Sequence, residues 1–377
     1  CISDAEELGL LGANAFVNYH PWAKDIGLVL NFEARGSGGP SYMLLETNGG
    51  NKNLIEAFQN AKTPFPVGNS LMYSIYKMLP NDTDLTVFRE DGDIDGFNFA
   101  FIGDHFDYHT EQDSFERMDL KSLNHQASYL ITLLDYFAES NLDNLKGDTD
   151  YVFFNFPYFG LVFYPFSWVL PMLIICAVLF LIILFIGLSK NKLTVVGILK
   201  GLIPFILSLM ISGLLAFYGW KLLLKIHPQY NDILHGFTYN GYYYIAIFVA
   251  FTLAICFWFY KGFFKKQTAQ DLVIAPLFSW IFINVGIAFY LPGAAFFIIP
   301  VIVLLFILSI LVFNESENRV VLFSIAVIPI LIIFSPLIKL FPVGLGLKML
   351  VISTVFTVLL FGLLVPIFQH YKKHYKI

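Results

Sequence analysis

Four residues of this chain are suited to hydrolytic chemistry by type and setting: the adjacent pair Glu6-Glu7, Glu33 behind an apolar run, and His109 among acids. In such a pair one carboxylate binds a metal ion while its neighbour takes a proton from the water that the metal acidifies. Glu6 and Glu7 stand in Ser3-Asp4-Ala5-Glu6-Glu7-Leu8-Gly9-Leu10-Leu11-Gly12, where Ser3-x-x-Glu6 equally has the spacing of a capping box opening a helix. Glu33 follows Ile26 to Phe32, at the strand end where open α/β sheets place ligands; a solvated acid entering a glycine-rich loop has the same pattern. His109 lies in Asp107-Tyr108-His109-Thr110-Glu111-Gln112-Asp113. A neutral imidazole among carboxylates suits zinc, whose sites mix His nitrogen with carboxylate oxygen, and Asp113 could orient it. His105-Phe106-Asp107 is a competing His-x-Asp pair, and a surface histidine in an acidic loop is the plain alternative.

The elements that must position these residues alternate in period. Apolar residues at Leu8, Leu11, Ala15 and Phe16 predict a helix from Glu6 to Val17, and the continuous run Ile26 to Phe32 predicts a buried strand. Arg35 to Pro40 reads as a loop; Gly36, Gly38 and Gly39 lack the Lys and spacing of a phosphate loop. Tyr42 to Glu46 reads as a strand, with helices at Asn53 to Ala61 and Ser70 to Met78. Leu85 to Arg89 and Phe97 to Ile102 read as strands, and Leu120 to Phe137 as a long amphipathic helix. Strands separated by helices predict an α/β domain with a mostly parallel central sheet.

Composition divides the chain. Residues 1–160 carry 9 Lys and Arg against 24 Asp and Glu, and residues 161–377 carry 14 against 4. The acidic part excludes nucleic acid as a partner, since phosphate binding needs a basic surface; metal cations and cationic peptide ends suit it. Three cysteines, two of them inside apolar runs, make no disulfide framework. With 57% hydrophobic residues and mean hydropathy +0.68, the chain is more apolar than average globular usage of roughly 45–50%.

The excess lies in seven stretches of spanning length, near 165–188, 194–220, 241–260, 272–291, 294–313, 319–338 and 343–368, each matching the roughly 20 residues that cross a bilayer. If the spans alternate, the side opposite the acidic domain receives Lys190, Lys192, Lys261, Lys265, Lys266, Arg319, Lys372, Lys373 and Lys376, and the domain's own side Lys221, Lys225, Lys339 and Lys348. The positive-inside rule then predicts a cytoplasmic carboxyl terminus and an acidic domain on the non-cytoplasmic side.

The order and flanks of three patches, the Glu6-Glu7 segment, Asn31-Phe32-Glu33-Ala34-Arg35-Gly36 and Tyr108-His109-Thr110, resemble the co-catalytic zinc aminopeptidases of the leucyl aminopeptidase and aminopeptidase Y type, over about residues 1–140. The resemblance implies Glu6 as general base, Glu7 and His109 as ligands of one zinc, Glu33 as ligand of a second, and peptides as substrates. Asn81-Asp82-Thr83-Asp84 and Phe97-Asn98-Phe99-Ala100-Phe101 resemble segments around the substrate cleft. The family also carries a His-x-Asp segment and a metal-bridging Asp before the Glu-Glu pair, where only five residues stand here. The expectation is therefore a fragment beginning within a strand, inactive alone, whose missing amino-terminal piece supplies those ligands.

Tyr151-Val152-Phe153-Phe154-Asn155, leading through Gly160 to Tyr164-Pro165 and the spans, is similar to the membrane-embedded branch, the endoplasmic reticulum metallopeptidase and vacuolar membrane protease group. The expected organisation is the carboxyl-terminal part of a zinc peptidase domain at 1–145, a linker at 146–164, and an all-α transmembrane domain at 165–377 set in the lipid bilayer. Three rivals remain: glutaminyl cyclase chemistry on the same fold with one zinc, a metal-free receptor or scaffold domain, and a transporter. The presence of Glu6, Glu7, Glu33 and His109 together argues against the second, and the scarcity of charge within the spans, mainly Lys200 and Lys221 near their ends, argues against the third.

Overall fold

The computed structural model describes residues 4–79, 82–156, 159–314 and 319–375. Cys1 to Ser3, Asn81 and Lys376 lie outside them. The chain divides into two compact units, residues up to Val169 with Tyr290–Phe296, and Leu170–Phe289 with the remainder from Phe297.

In the first unit the predicted amino-terminal helix is shorter than its apolar spacing suggests, α1 running over Leu11–Tyr19. Ala5, Gly9 and Leu10 all have positive φ, which turns the backbone before the helix and leaves Glu6 and Glu7 on that turn. Glu6 is five residues ahead of α1 and Leu10 caps it without a side-chain bond, so Glu6 does not stand at the third helical position that a capping box requires.

Strand β1 (Val29–Ala34) pairs in parallel with β3 (Gly96–Gly103), which pairs antiparallel with β2 (Gly38–Glu46), giving the order β1-β3-β2. The sheet among the described residues is thus small and mixed, where a mostly parallel sheet was expected. β3 is central and buried on both faces, its run broken only by Asn98; β1 lies at the edge of this order and is only partly buried. Helices α2 (Lys52–Asn60), α3 (Ser70–Met78) and α5 (Leu120–Ala138) keep the predicted places.

Two expectations are corrected. The segment Leu85 to Arg89, expected as a strand, lies inside helix α4 (Asp84–Glu90), because Thr83 and Thr86 close a reciprocal capping box and Asp84 supplies an acid to the first turn. A five-residue segment with three apolar residues fits either period, and the cap decides. The expected linker at 146–164 contains the antiparallel hairpin of β4 (Tyr151–Phe156) and β5 (Gly160–Pro165). Its Phe153 and Leu161 join Met43, Leu54, Phe58, Phe97, Phe99, Tyr129 and Leu133 in one buried cluster. That cluster holds one face of the sheet; the opposite face carries the polar residues described below.

The second unit is helical: α6 (Val169–Ser189), α7 (Val195–Ile226), α8 (Gly241–Phe263), α9 (Ala269–Tyr290, its last residue counting with the first unit), α10 (Ile298–Phe313), α11 (Arg319–Leu345) and α12 (Leu350–Tyr375). Together with short flanking turns these give seven helices long and apolar enough to cross a membrane among the described residues. Helix α12 packs against α7, α8 and α11, and its span is the most buried of the seven. Asp271, a buried acid near the start of α9, accepts from the Thr194 backbone N–H at 3.0 Å and from Thr268 Oγ1 at 2.8 Å. It thus ties Thr194, the N-cap of α7, to Thr268, whose Oγ1 accepts from the Asp271 N–H, a structural use for an acid in an apolar segment.

Candidate functional site

The turn before α1 and the loop after β3 bring Glu7 and His109 together. Glu7 Oε1 lies 2.9 Å from His109 Nε2, and both side chains reach solvent. The His109 ring stacks on Tyr108 with 3.9 Å between centroids, and His109 takes φ +56°, a left-handed conformation uncommon for a non-glycine residue and enriched at functional positions.

The loop that presents His109 is fixed by Asp107. This fully buried carboxylate accepts from Ser37 Oγ at 2.6 Å and Arg117 Nε at 2.9 Å, while the Asp107 carbonyl accepts from Thr110 Oγ1 at 2.7 Å. Held by an arginine and a serine, Asp107 anchors the loop, and His105 is buried against Tyr108; the rival His-x-Asp pair thus faces inward. Asp113 is exposed, and His109 Nε2 meets Glu7.

Glu33, near the carboxyl end of β1, is held from below. Asn31 Nδ2 donates to Glu33 Oε1 at 2.9 Å and to Asn98 Oδ1 at 3.2 Å; Asn31 and Asn98 are register partners on β1 and β3. Asn98 Nδ2 donates to Tyr76 OH at 3.2 Å, and Tyr76 OH donates to Glu46 Oε1 at 2.7 Å. Glu46, buried, also accepts from Thr86 Oγ1 at 3.0 Å and from Arg89 Nε at 3.0 Å. From α5, Gln126 Nε2 donates to the Glu33 carbonyl at 2.8 Å and that of Phe99 at 3.0 Å. A chain of hydrogen bonds thus crosses the polar face of the sheet from an Arg-paired acid to the candidate ligand.

The acids share one electrostatic neighbourhood. Burial raises Glu6 above the usual carboxylate value, the Glu33, Glu7 and Asp84 charges add to the rise, and His109 opposes it. Glu33 is raised as well, again mainly by burial, against the Asn31 hydrogen bond and with help from Asp84 and Glu7. Asp84, first residue of α4, lies in the segment that the resemblance set around the substrate cleft without giving this acid a role.

Glu7 and His109 fit part of a zinc shell. Zinc–ligand bonds of about 2.0–2.1 Å at a tetrahedral angle set neighbouring donors about 3.3 Å apart, near the 2.9 Å found here. The donor types, one imidazole nitrogen and one carboxylate oxygen, are also those zinc takes. Among the described residues no group of three His, Cys, Asp or Glu converges closely enough to enclose an ion, so Glu33 is not drawn into the Glu7–His109 pair.

Comparison with known proteins bears on the same residues. Residues 1–134 match peptidase family M28. The chain is similar to the vacuolar membrane protease of Debaryomyces hansenii, with 32% identity over 146 residues, 38% of this chain and 14% of that protein. It is similar to the endoplasmic reticulum metallopeptidase 1 of Rattus norvegicus, with 31% identity over 149 residues, 39% of this chain and 16% of that protein. A Caenorhabditis elegans protein provisionally named endoplasmic reticulum metallopeptidase 1-B is 30% identical over 258 residues, 63% of this chain and 28% of its own length. The chain therefore spans less than a third of each of these relatives. No solved structure gives a significant match.

Proposed function

We propose that the first unit, with the residues 1–134 that match family M28, forms part of the active site of a membrane-bound, zinc-dependent aminopeptidase. The observation that carries this reading is the Glu7–His109 pair, brought within 2.9 Å from positions 102 residues apart, beside Glu6 and within electrostatic reach of Glu33.

In this reading Glu7 and His109 hold one zinc, and Glu33, steadied by Asn31, holds a second. Bound there, zinc supplies the Lewis acidity that makes water a nucleophile near neutral pH. Glu6 takes the proton from that water and returns it to the departing amine as water adds across the peptide C–N bond. Its raised proton affinity suits a general base working nearer neutrality. Glu6 and Glu7 divide these tasks because they leave the turn in different directions, one partly buried and the other exposed.

In this proposal Glu7, His109 and Glu33 are fewer ligands than two zinc ions need, so residues 1–377 alone bind zinc poorly and are inactive. The domain, whose core takes in the β4–β5 hairpin, faces the non-cytoplasmic side, and the helical spans that follow anchor it with a cytoplasmic carboxyl terminus. A second reading, one zinc with glutaminyl cyclase chemistry, is favoured by the absence of Glu33 from the close pair. The test is metal stoichiometry together with release of amino acids from aminoacyl reporters: two zinc ions and aminopeptidase turnover support the proposal. One zinc with cyclisation of amino-terminal glutamine supports the second reading.

A further inference from the structure

The first unit is strongly acidic, and two of its three arginines face carboxylates. Arg89 pairs with Glu46 and Glu90, and Arg117 with Asp107. Arg35 is the exception. Its guanidinium makes no ion pair and no hydrogen bond among the described residues, and its Nε is buried without a partner. Its guanidinium lies by the Tyr108 ring, 5.8 Å from Cζ to centroid, and the residue is partly exposed.

Its position gives this exception meaning. Arg35 follows Glu33 by two residues, and its backbone N–H donates to the Phe101 carbonyl at 2.9 Å, extending the pairing of β1 with β3. Tyr108, on which the guanidinium rests, stacks on His109, which meets Glu7. The Tyr108 phenol feels Arg35 on one hand and Glu7, Glu6 and Glu33 on the other. A cation with open donors thus stands across one aromatic ring from the cluster of candidate catalytic acids. An arginine beside an aromatic face, with donors open to a planar anion, is a group suited to receive a substrate carboxylate.

We infer that Arg35 is a specificity-determining residue that receives a carboxylate of the peptide substrate, either the carboxyl terminus of a dipeptide or an Asp or Glu side chain beside the scissile bond. The inference rests on the aminopeptidase reading for the identity of the ligand as a peptide. Its chemistry, a cation preorganised for a carboxylate, is read from the contacts of Arg35 itself.

The experiment uses the zinc-loaded, membrane-embedded protein with three probes: Ala-Ala, Ala-Ala-amide and Ala-Glu-amide. Initial rates and calorimetric binding are measured for the wild type, Arg35→Met and Arg35→Lys. The expected result is that Arg35→Met lowers the preference for carboxylate-bearing peptides over Ala-Ala-amide by about 10–100-fold, chiefly through KM. Arg35→Lys should recover part of it. Loss confined to Ala-Ala assigns the terminal carboxylate; loss confined to Ala-Glu-amide assigns the acidic side chain. Equal effects on all three peptides, or none, overturn the inference and leave Arg35 as packing for Tyr108. If the wild type cleaves none of them, the aminopeptidase reading falls, and the difference in binding between Ala-Ala and its amide still decides Arg35.

Discussion

Glu7 and His109 are 102 residues apart in sequence and 2.9 Å apart in space, one on a turn before the first helix and the other on the loop that leaves the central strand. Neither position is explained by packing, since both side chains are solvent-accessible. His109 keeps a left-handed backbone there, and the loop under it is bolted by buried Asp107 paired with partly exposed Arg117. Strength placed beneath an exposed polar pair suits ligand binding better than folding.

Breaking the bolt should loosen the pair. Arg117→Ala leaves a buried carboxylate without its cation, which typically costs about 3–5 kcal/mol for a fully buried pair; because Arg117 is partly exposed, the expected loss is at the low end. Urea unfolding of the zinc-free protein measures it, and zinc affinity should fall alongside. An Arg117→Ala protein of unchanged stability would show that the loop is held by other contacts.

The hydrogen-bond chain behind Glu33 makes a graded set of expectations. Tyr76→Phe removes the donor to Glu46 and should cost about 1–2 kcal/mol, while burial and Glu46 already keep that phenol protonated. Asn31→Ala frees Glu33 and should weaken zinc binding about 10–100-fold, and Asn98→Ala should do so less because it acts through Asn31. A double-mutant cycle on Asn31 and Asn98, read by zinc titration, should show coupling; strict additivity would mean that the chain does not transmit.

Metal removal should expose the crowding of acids. In the metal-free protein Glu6 and Glu33 are raised above their ordinary values, so the folded state binds more protons than the unfolded one. Stability then falls as pH rises from the ordinary carboxylate value through the raised folded values. Zinc neutralises the acids and should flatten that decline. Thermal melts from pH 4 to 7 with chelator and with zinc check this, and the same pH slope in both would contradict it.

Much of this was legible beforehand, and the exceptions have physical reasons. Helices α2, α3 and α5 and the seven apolar spans follow from periodicity and length, signals that tertiary context seldom overrides. The α4 helix was hidden because Leu85 to Arg89 is too short for its period to decide, although Thr83 announced a cap. The β4–β5 hairpin was hidden because its apolar residues run straight into the first span. Glu7 and His109 were named as ligands from a resemblance, and the structure joins them. Arg35 and the Asn98–Tyr76–Glu46 chain were silent in sequence because their meaning depends on which partner each side chain meets.

Topology is tested independently. A reporter fused after Ile377 and a protease-accessible tag near Asn51 should respond from opposite sides of the membrane, because an odd number of spans separates them. Signals from the same side would contradict the assignment.

The most direct test of the central claim compares two neighbouring carboxylates. Zinc content and initial rate on an aminoacyl reporter are measured together for Glu6→Gln and Glu7→Gln in the full-length, membrane-embedded protein. Glu6→Gln should keep its zinc and lose about 10²–10⁴-fold in turnover, as removal of a general base does, whereas Glu7→Gln should lose zinc and activity together. A Glu6→Gln protein that stays fully active, or that loses zinc as completely as Glu7→Gln, would contradict the division of labour proposed for this pair.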